Sequence, residues 1–426
     1  MNFGDLRAIL QYVPQFRGRT FVVALDGAVI ESSDFSNILL DLAVLRSLNV
    51  RVVLVHGAAA QIEALGRKRD VALSNVDGTG VTDEATLEVS MDAISRLSNA
   101  VMQSLTTVKI KAATANAIHA HPAGIIKGID HGFTGTVEKI DAGVLQSFLD
   151  QDILPVVPPV GFDADGQTLR VNSDAVAREV ATALGASKIL FVSLADPRCA
   201  TGGREKQWTA EDALAFVEEK PTLLPGMVSK LRQAARATRD GVPRVHLIGS
   251  RNQDALLSEL FSNEGVGLMV YSDAYLKIRP ATHADVDELY LLIHRAVEDE
   301  ELIERSRSEI QGAIHDYIVI EIDGNVVGCV AVHPHPSGDR AELACLYVKR
   351  GHTGQGYGST LVAAAADRAR QIGCGQLFAL STQAAGYLER EGFVRSEDLS
   401  LLSEERREKW AKNGRNAVLL VRRIGD

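Results

Sequence analysis

Between a strand-like run, Glu342–Val348, and an Ala-rich helical stretch, Ser359 to Ile372, the chain reads Thr353-Gly354-Gln355-Gly356-Tyr357-Gly358. Glycines at alternate positions between a strand and a helix let successive backbone N–H groups turn into one concavity. That concavity lies at the positive end of a helix macrodipole, a site for phosphate oxygens. A Gly-rich loop also serves as an ordinary tight turn, so its neighbours decide. Just upstream stands Glu342, a carboxylate on an otherwise apolar strand face with Ala344, Leu346 and Val348 by period-two alternation. That is the address of a general base, working directly or through a water. An isolated strand-end glutamate more often points to solvent. His333-Pro334-His335 has a ligand-like spacing, but the proline and the lack of a third ligand favour a loop over a metal site.

These residues need a scaffold, and the segment from about Tyr275 to Asp426 supplies one. It reads strand, helix, helix, three strands, the glycine loop with its helix, then strand, helix and closing strands. Leu276–Pro280 opens it. Asp323-Gly324 is a hairpin signal between Tyr317–Ile322 and Val326–His333. Leu377–Leu380 is a short apolar strand, and a helix through Tyr387 ends at Gly392-Phe393. Residues 1 to about 270 alternate differently. Thr20–Leu25, Val50–Val55, Ile153–Val157, Lys188–Val192 and Val245–Ile248 are short apolar runs, with helical segments such as Phe35–Leu48 and Asp174–Leu184 between them. Such alternation predicts a parallel sheet covered on both faces. The boundary falls near Ser272–Lys277, giving domains 1–273 and 277–426.

At 426 residues the chain exceeds one compact core. A net charge of −10 with 5% aromatics argues against nucleic-acid binding, which needs a basic face. The helix with Lys230, Arg232, Arg236 and Arg239 reads as one solvated face, as does Glu298-Asp299-Glu300-Glu301. No apolar stretch reaches the ~18 residues that span a bilayer, and the N-terminus lacks the apolar core of a signal peptide. Four cysteines without a CxxC pair point away from zinc and disulfides, and toward a reducing cytoplasm.

Loop, element order and Gly-Phe together resemble the GNAT family of acetyl-CoA-dependent N-acetyltransferases. The family loop usually opens on Arg or Gln, where this chain has Thr353. The first domain resembles the amino-acid kinase family. Its Lys-x-Gly-Gly loop appears as Ala24-Leu25-Asp26-Gly27, and its His-Gly-Gly-Gly-Pro loop as His56-Gly57-Ala58-Ala59-Ala60. Asn172-Ser173-Asp174-Ala175 and Pro225-Gly226-Met227 with Lys230 match two further segments. Phosphoryl transfer is mostly positioning and charge neutralisation, so the missing lysine implies a retained scaffold without kinase activity. The two domains in this order resemble the bacterial N-acetylglutamate synthase family, as do Gly80-Val81-Thr82-Asp83, Arg305-Ser306-Arg307 and Ala341-Glu342-Leu343-Ala344-Cys345. The fold class expected is therefore α/β, an amino-acid-kinase-like parallel-sheet sandwich followed by a GNAT domain.

The resemblance implies transfer of acetyl from acetyl-CoA to the α-amine of L-glutamate, the entry step of arginine biosynthesis, with no metal. It implies Glu342 as base and Arg305, at the start of the second helix of this domain, and Arg415 as clamps on the substrate carboxylates. Cys345 and Asn416 belong to the substrate site, although the family's serine after Arg415 is Ala417 here. Backbone N–H groups near Cys345 and Leu346 meet the thioester carbonyl. Leu346, Val348 and the loop residues Thr353, Gly354, Gln355, Gly356, Tyr357 and Gly358 hold the cofactor. For the general acid, the family's tyrosine position is Leu388. Tyr387 beside it points about 100° away on the helix, and Ser381 is an alternative. The family further implies L-arginine as inhibitor. Here its site matches the helix ending near Tyr12, with Glu259 for the guanidinium and Gly265 and Gly267 for close backbone approach. An ordinary turn after a helix explains those glycines equally well. Apolar residues at 3, 6, 9 and 13 suit packing against another subunit, and the family implies a homo-hexamer.

Overall fold

The structure, a computed structural model, describes residues 16–75, 77–202, 207–251, 254–261, 265–272, 276–298, 301–322, 325–353, 356–412 and 417–424. It divides into two compact units, Met1–Ser272 and Asp273–Asp426. Tyr12 and the helical stripe at 3, 6, 9 and 13 lie outside the described residues, as does the Asp323-Gly324 turn.

In the first unit, strands β1 (Thr20–Leu25), β2 (Arg51–His56), β3 (Ala112–Thr114), β4 (Ile118–Pro122), β5 (Ile125–Ile126), β6 (Ile129–Asp130) and β7 (Gly135–Ile140) come first. They are followed by β8 (Leu154–Val157), β9 (Val160–Phe162), β10 (Thr168–Arg170), β11 (Lys188–Ser193), β12 (Gln207–Thr209), β13 (Arg244–Gly249) and β14 (Leu268–Tyr271). Eight of them form one sheet in the order β12-β14-β13-β11-β1-β2-β8-β3. Its pairings are parallel, except that β14 runs antiparallel to β13. Consecutive residues of one strand enter opposite cores. Val22 and Ala24 pack on one face with Val53, Ile189 and Val245. Phe21, Val23 and Leu25 pack on the other with Leu54, Leu190 and Ile248. Burial on both faces is why these runs are continuously apolar rather than alternating. A second sheet, β10-β9-β4-β7, and the β5–β6 hairpin were not legible. Their strands are short and half exposed, as in Ile118-His119-Ala120-His121-Pro122.

The second unit holds β15 (Leu276–Pro280), β16 (Tyr317–Ile322), β17 (Asn325–Pro334), β18 (Arg340–Val348), β19 (Gln376–Ser381), β20 (Val394–Arg395) and β21 (Val418–Arg423). The sheet order is β15-β16-β17-β18-β19-β21-β20. The first four strands are sequential and antiparallel. The helix Tyr357–Gln371 then carries the chain across, so β19 lies parallel to β18. That pairing lasts only from Arg340↔Gln376 to Glu342↔Phe378, after which β19 pairs with β21 alone along its remaining length.

On its other edge β18 is bulged. Cys329 pairs with Tyr347 and Ala331 with Ala344, so Cys345 and Leu346 together face Val330. Cys345 takes up the irregularity with φ +52°, a left-handed conformation rare for a residue with a side chain. The bulge corrects the alternation expected from sequence. Beyond it, Cys345 and Tyr347 share a core with Ala344, while Val348 crowds Gly328 beside Leu361. Leu346 and Val348 therefore do not continue the face of Glu342 and Ala344.

Candidate functional site

Where β18 and β19 part, a cleft opens within the second unit. Glu342, Leu343, Ala344, Cys345 and Leu346 form one wall, and Ala379, Leu380, Ser381 and Thr382 the other. Leu302, Arg305, Leu388, Arg406, Trp410 and Ala417 complete the lining. Glu301, the last residue of the acidic run, is exposed and stands at the rim of this cleft.

Glu342 is 8% exposed and faces a partner that sequence reading missed. Arg406, on the helix Glu404–Lys412, donates Nε–H to Oε2 at 2.8 Å and to Oε1 at 3.0 Å, and Nη2–H to Oε1 at 2.5 Å. Oε2 thus accepts one bond and keeps a lone pair. Arg406 sits in Glu-Glu-Arg-Arg-Glu-Lys, whose composition suggests only a solvated helix. Nothing local marks which arginine turns inward.

Arg305 stands differently. It lies in the loop before the short helix Arg307–Gly312, capped by Ser306, rather than starting that helix. Its Nη1 lies 3.3 Å from His333 Nε2, and among the described residues it enters no ion pair. Burial works against its charge, yet Cys345, Tyr317 and Glu342 around it outweigh that and hold the guanidinium above its ordinary value. Arg307 pairs with Asp287 at the surface, as a solvated arginine should. Arg415 and Asn416 lie outside the described residues. The segment holding them is bracketed by Trp410, whose Nε1–H donates to the Ala417 carbonyl at 3.1 Å.

Cys345 is buried, and burial pushes its thiol up. Its carbonyl accepts the Cys329 Sγ–H at 3.3 Å. Of the two acid candidates, Ser381 lines the cleft, with its hydroxyl accepting Ala384 N–H at 3.0 Å. The cleft is lined by Leu388 rather than Tyr387. Tyr387 instead lies against the first turn of the glycine-loop helix, its Oη 3.2 Å from Ser359 Oγ. A Cβ on Gly358 would fall 2.5 Å from that oxygen, so this glycine admits the tyrosine ring. Gly356 precedes the helix with φ +78°, which its lack of a side chain permits. Thr353 is exposed and turns its hydroxyl back to the Arg350 carbonyl at 2.8 Å. Gly354 and Gln355 fall outside the described residues.

In the first unit, the family-like segments converge at the carboxyl edge of the sheet. Lys230 donates to Asp26 at 2.7 Å and to Asp174 at 3.1 Å. It is 5% exposed, so it does not share the solvated face of Arg232, Arg236 and Arg239. Burial opposes its charge, but the two carboxylates outweigh it and raise the ammonium above its ordinary value. Asp26 precedes the helix Gly27–Ile30 without capping it, its side chain going to Lys230 instead. The two glycine loops close on each other. A Cβ on Gly27 would collide with Gln61 Oε1 and meet the Gly57 carbonyl at 2.9 Å.

Glu259 is buried and engaged. One oxygen meets His246 Nδ1 at 2.6 Å, and the other accepts the N–H groups of Val266 at 2.6 Å and Gly267 at 2.8 Å. Burial would raise its carboxyl, but these bonds outweigh that and bring it down to about 2. Gly265, at φ +60°, lies against the same carboxylate. These three expected effector residues are thus one hydrogen-bonded turn.

Comparison with known proteins adds the following. Residues 19–249 match the amino acid kinase family and residues 283–393 the acetyltransferase (GNAT) family. An amino-acid acetyltransferase of Ralstonia nicotianae is 32% identical over 97% of this chain and 94% of its own length. One from Neisseria meningitidis is 31% identical over 98% and 97%. N-acetylglutamate synthase from Neisseria gonorrhoeae, crystallised with coenzyme A and L-arginine, matches with TM-score 0.86 and 28% identity, each chain covered completely. The same enzyme with coenzyme A and N-acetyl-glutamate matches with TM-score 0.64 and 29% identity, again over both full lengths.

Proposed function

This chain belongs to the amino-acid acetyltransferase family, and on that premise we propose that it transfers acetyl from acetyl-CoA to the α-amine of L-glutamate in the cytoplasm. The observation that carries this is the charge balance of the cleft. Glu342 and Arg406 pair with each other, while Arg305, in a half-buried place, enters no ion pair among the described residues. An anionic amino acid supplies the missing negative charge, and a bidentate guanidinium–carboxylate pair fixes its direction. Arg415, two positions before Ala417 on the cleft wall, offers a second clamp.

Glu342 takes a proton from the substrate ammonium through the free lone pair of Oε2, directly or through a water. The amine then attacks the thioester carbon. As the C–N bond forms, the carbonyl oxygen becomes an oxyanion, met by backbone N–H where the bulge and the parting strands free Cys345 and Leu346 from regular pairing. Collapse breaks the C–S bond and releases the CoA thiolate, and the second proton shed by the substrate nitrogen passes to that thiolate, with Ser381 the group at hand. The glycine loop at Gly356 and the helix after it hold the cofactor phosphates.

The first unit is a regulatory and assembly module in a homo-oligomer, a hexamer by family resemblance. L-arginine inhibits through it, at the turn built on Glu259. The engaged Glu259 carboxylate shapes that turn, and Gly265 and Gly267, lacking side chains, allow the effector to approach the backbone closely. The deciding experiment is CoA thiol release across a panel of amino acids, with and without arginine. Glutamate should lead aspartate and glutamine, because each of those misplaces or neutralises one carboxylate. Equal rates for a neutral amino acid would overturn the reading.

A further inference from the structure

Arg305 is held by a histidine, although carboxylates are the usual partners of a half-buried guanidinium. An arginine carries only N–H donors, so in the 3.3 Å contact between its Nη1 and His333 Nε2 the histidine nitrogen accepts. His333 then carries its hydrogen on Nδ1, which points at Asp316 Oδ2 2.7 Å away. The donor direction runs one way, from Arg305 to His333 to Asp316. The ring plane is fixed by Tyr317, whose ring meets it edge-on at 6.1 Å and 84°. His333 also lies directly opposite Glu342 in the β17–β18 ladder. The middle residue of the relay is therefore registered against the β18 wall of the cleft.

From this geometry we infer that His333 and Asp316 are positioning residues for substrate recognition, an uncharged strut that orients Arg305 without consuming its charge. The inference rests on the reading of Arg305 as a clamp on a substrate carboxylate. A glutamate or aspartate in place of His333 would close on Arg305 as Glu342 closes on Arg406, with two N–H donors and the full charge taken. An incoming carboxylate would then have to displace it. Neutral imidazole takes one N–H and leaves the remaining donors and the charge facing the cleft. Asp316 is needed because a histidine with its hydrogen on Nε2 would oppose a donor to a donor and turn Arg305 away.

The test uses steady-state CoA thiol release by the full-length protein, with melting of each variant measured in parallel. His333→Gln keeps an acceptor for Arg305 and a donor for Asp316, so KM for glutamate should stay within about threefold. His333→Glu gives Arg305 a stronger partner but neutralises it. KM for glutamate should rise on the order of tenfold to a hundredfold, with KM for acetyl-CoA unmoved. Asp316→Asn, which can donate to Nδ1 and so reverse the tautomer, should raise KM for glutamate in the same direction. It also serves as the deciding variant should His333→Glu not fold. Equal KM values for His333→Gln and His333→Glu would overturn the strut, since a merely structural side chain has no reason to distinguish them by substrate. Arg305→Met separates the two claims. If it leaves KM for glutamate unchanged, the clamp fails and the strut with it. If it raises KM while the folded His333 and Asp316 variants do not, the strut alone fails.

Discussion

Replacing Glu342 by glutamine removes one charge from a site where the partner stays behind. The Arg406 guanidinium is 26% exposed and the Glu342 side chain 11%. Stripping one member from a fully buried pair costs roughly 3–5 kcal/mol. Here Arg406 recovers some hydration and the amide oxygen still accepts one N–H, so about 1–2 kcal/mol is expected. For a unit the size of Asp273–Asp426, that lowers its melting temperature by about 2–8 °C. Loss of a general base should lower kcat by roughly 10²–10⁴ while KM for acetyl-CoA holds. The two effects separate in a double variant. Adding Arg406→Met to Glu342→Gln removes the unpaired guanidinium, so melting should recover while CoA thiol release stays slow. If turnover recovers with stability, Glu342 is a brace for Arg406 and another group is the base.

Asp41 is 1% exposed and accepts the Leu256 N–H at 3.0 Å; burial, only partly opposed by that bond, pushes its carboxyl up to about 6. A folded value above the unfolded one means stability falls as pH rises from about 4 through about 6. Asp41→Asn should therefore raise the melting temperature at pH 8, by at most ~3 kcal/mol of stability, and leave pH 4 unchanged; an equal gain at both would show that ionisation is not the cost. The depressed carboxyl of Glu259 has the opposite sign. Its contribution is complete above about 4.5 and is lost as pH falls toward about 2, so Glu259→Gln should flatten that acid limb of the melting profile. Incubation with magnesium-ATP and N-acetylglutamate should yield no ADP above background, and sustained acetylglutamate-dependent ADP would restore a kinase reading. Arginine should slow the full-length enzyme but not an active fragment starting near residue 275, and equal inhibition of both would remove the first unit from regulation.

Most of the scaffold was legible because its signals are local. Residues 21–25 and 189–192 are apolar without a break, as a strand buried on both faces requires. The glycine loop, the hairpin flanks and Gly392-Phe393 carry their geometry in residue type. The site was only half legible, because its contacts join distant residues. Glu342 could be singled out, but its partner lies 64 positions away in a charged helix with no distinguishing pattern. The alternation argument around Glu342 failed at Cys345, where a residue with no glycine-like signature adopts a positive φ. From sequence His333 reads as a loop residue, because what gives it a role is a ladder register with Glu342 and a carboxylate 17 positions earlier. Asp26 was noted only for the glycine it replaces, and not for the lysine 204 positions on that it holds.

That last contact bears on what the kinase family's first-strand lysine would meet if it stood in this chain. Lys230 is wedged between Asp26 and Asp174, and Gln61 hydrogen-bonds the Gly27 carbonyl at 3.0 Å where the loops meet. An unpaired buried charge costs several kcal/mol, and without Asp26 this lysine would keep Asp174 alone. Here the acid standing in the glycine's place, Asp26, joins Asp174 in neutralising it. A lysine reinstalled at Ala24 would arrive beside an anion already seated, and would be neutralised before any phosphate reached it. A lysine at that position would act on a phosphate only in a chain that had first given up Asp26.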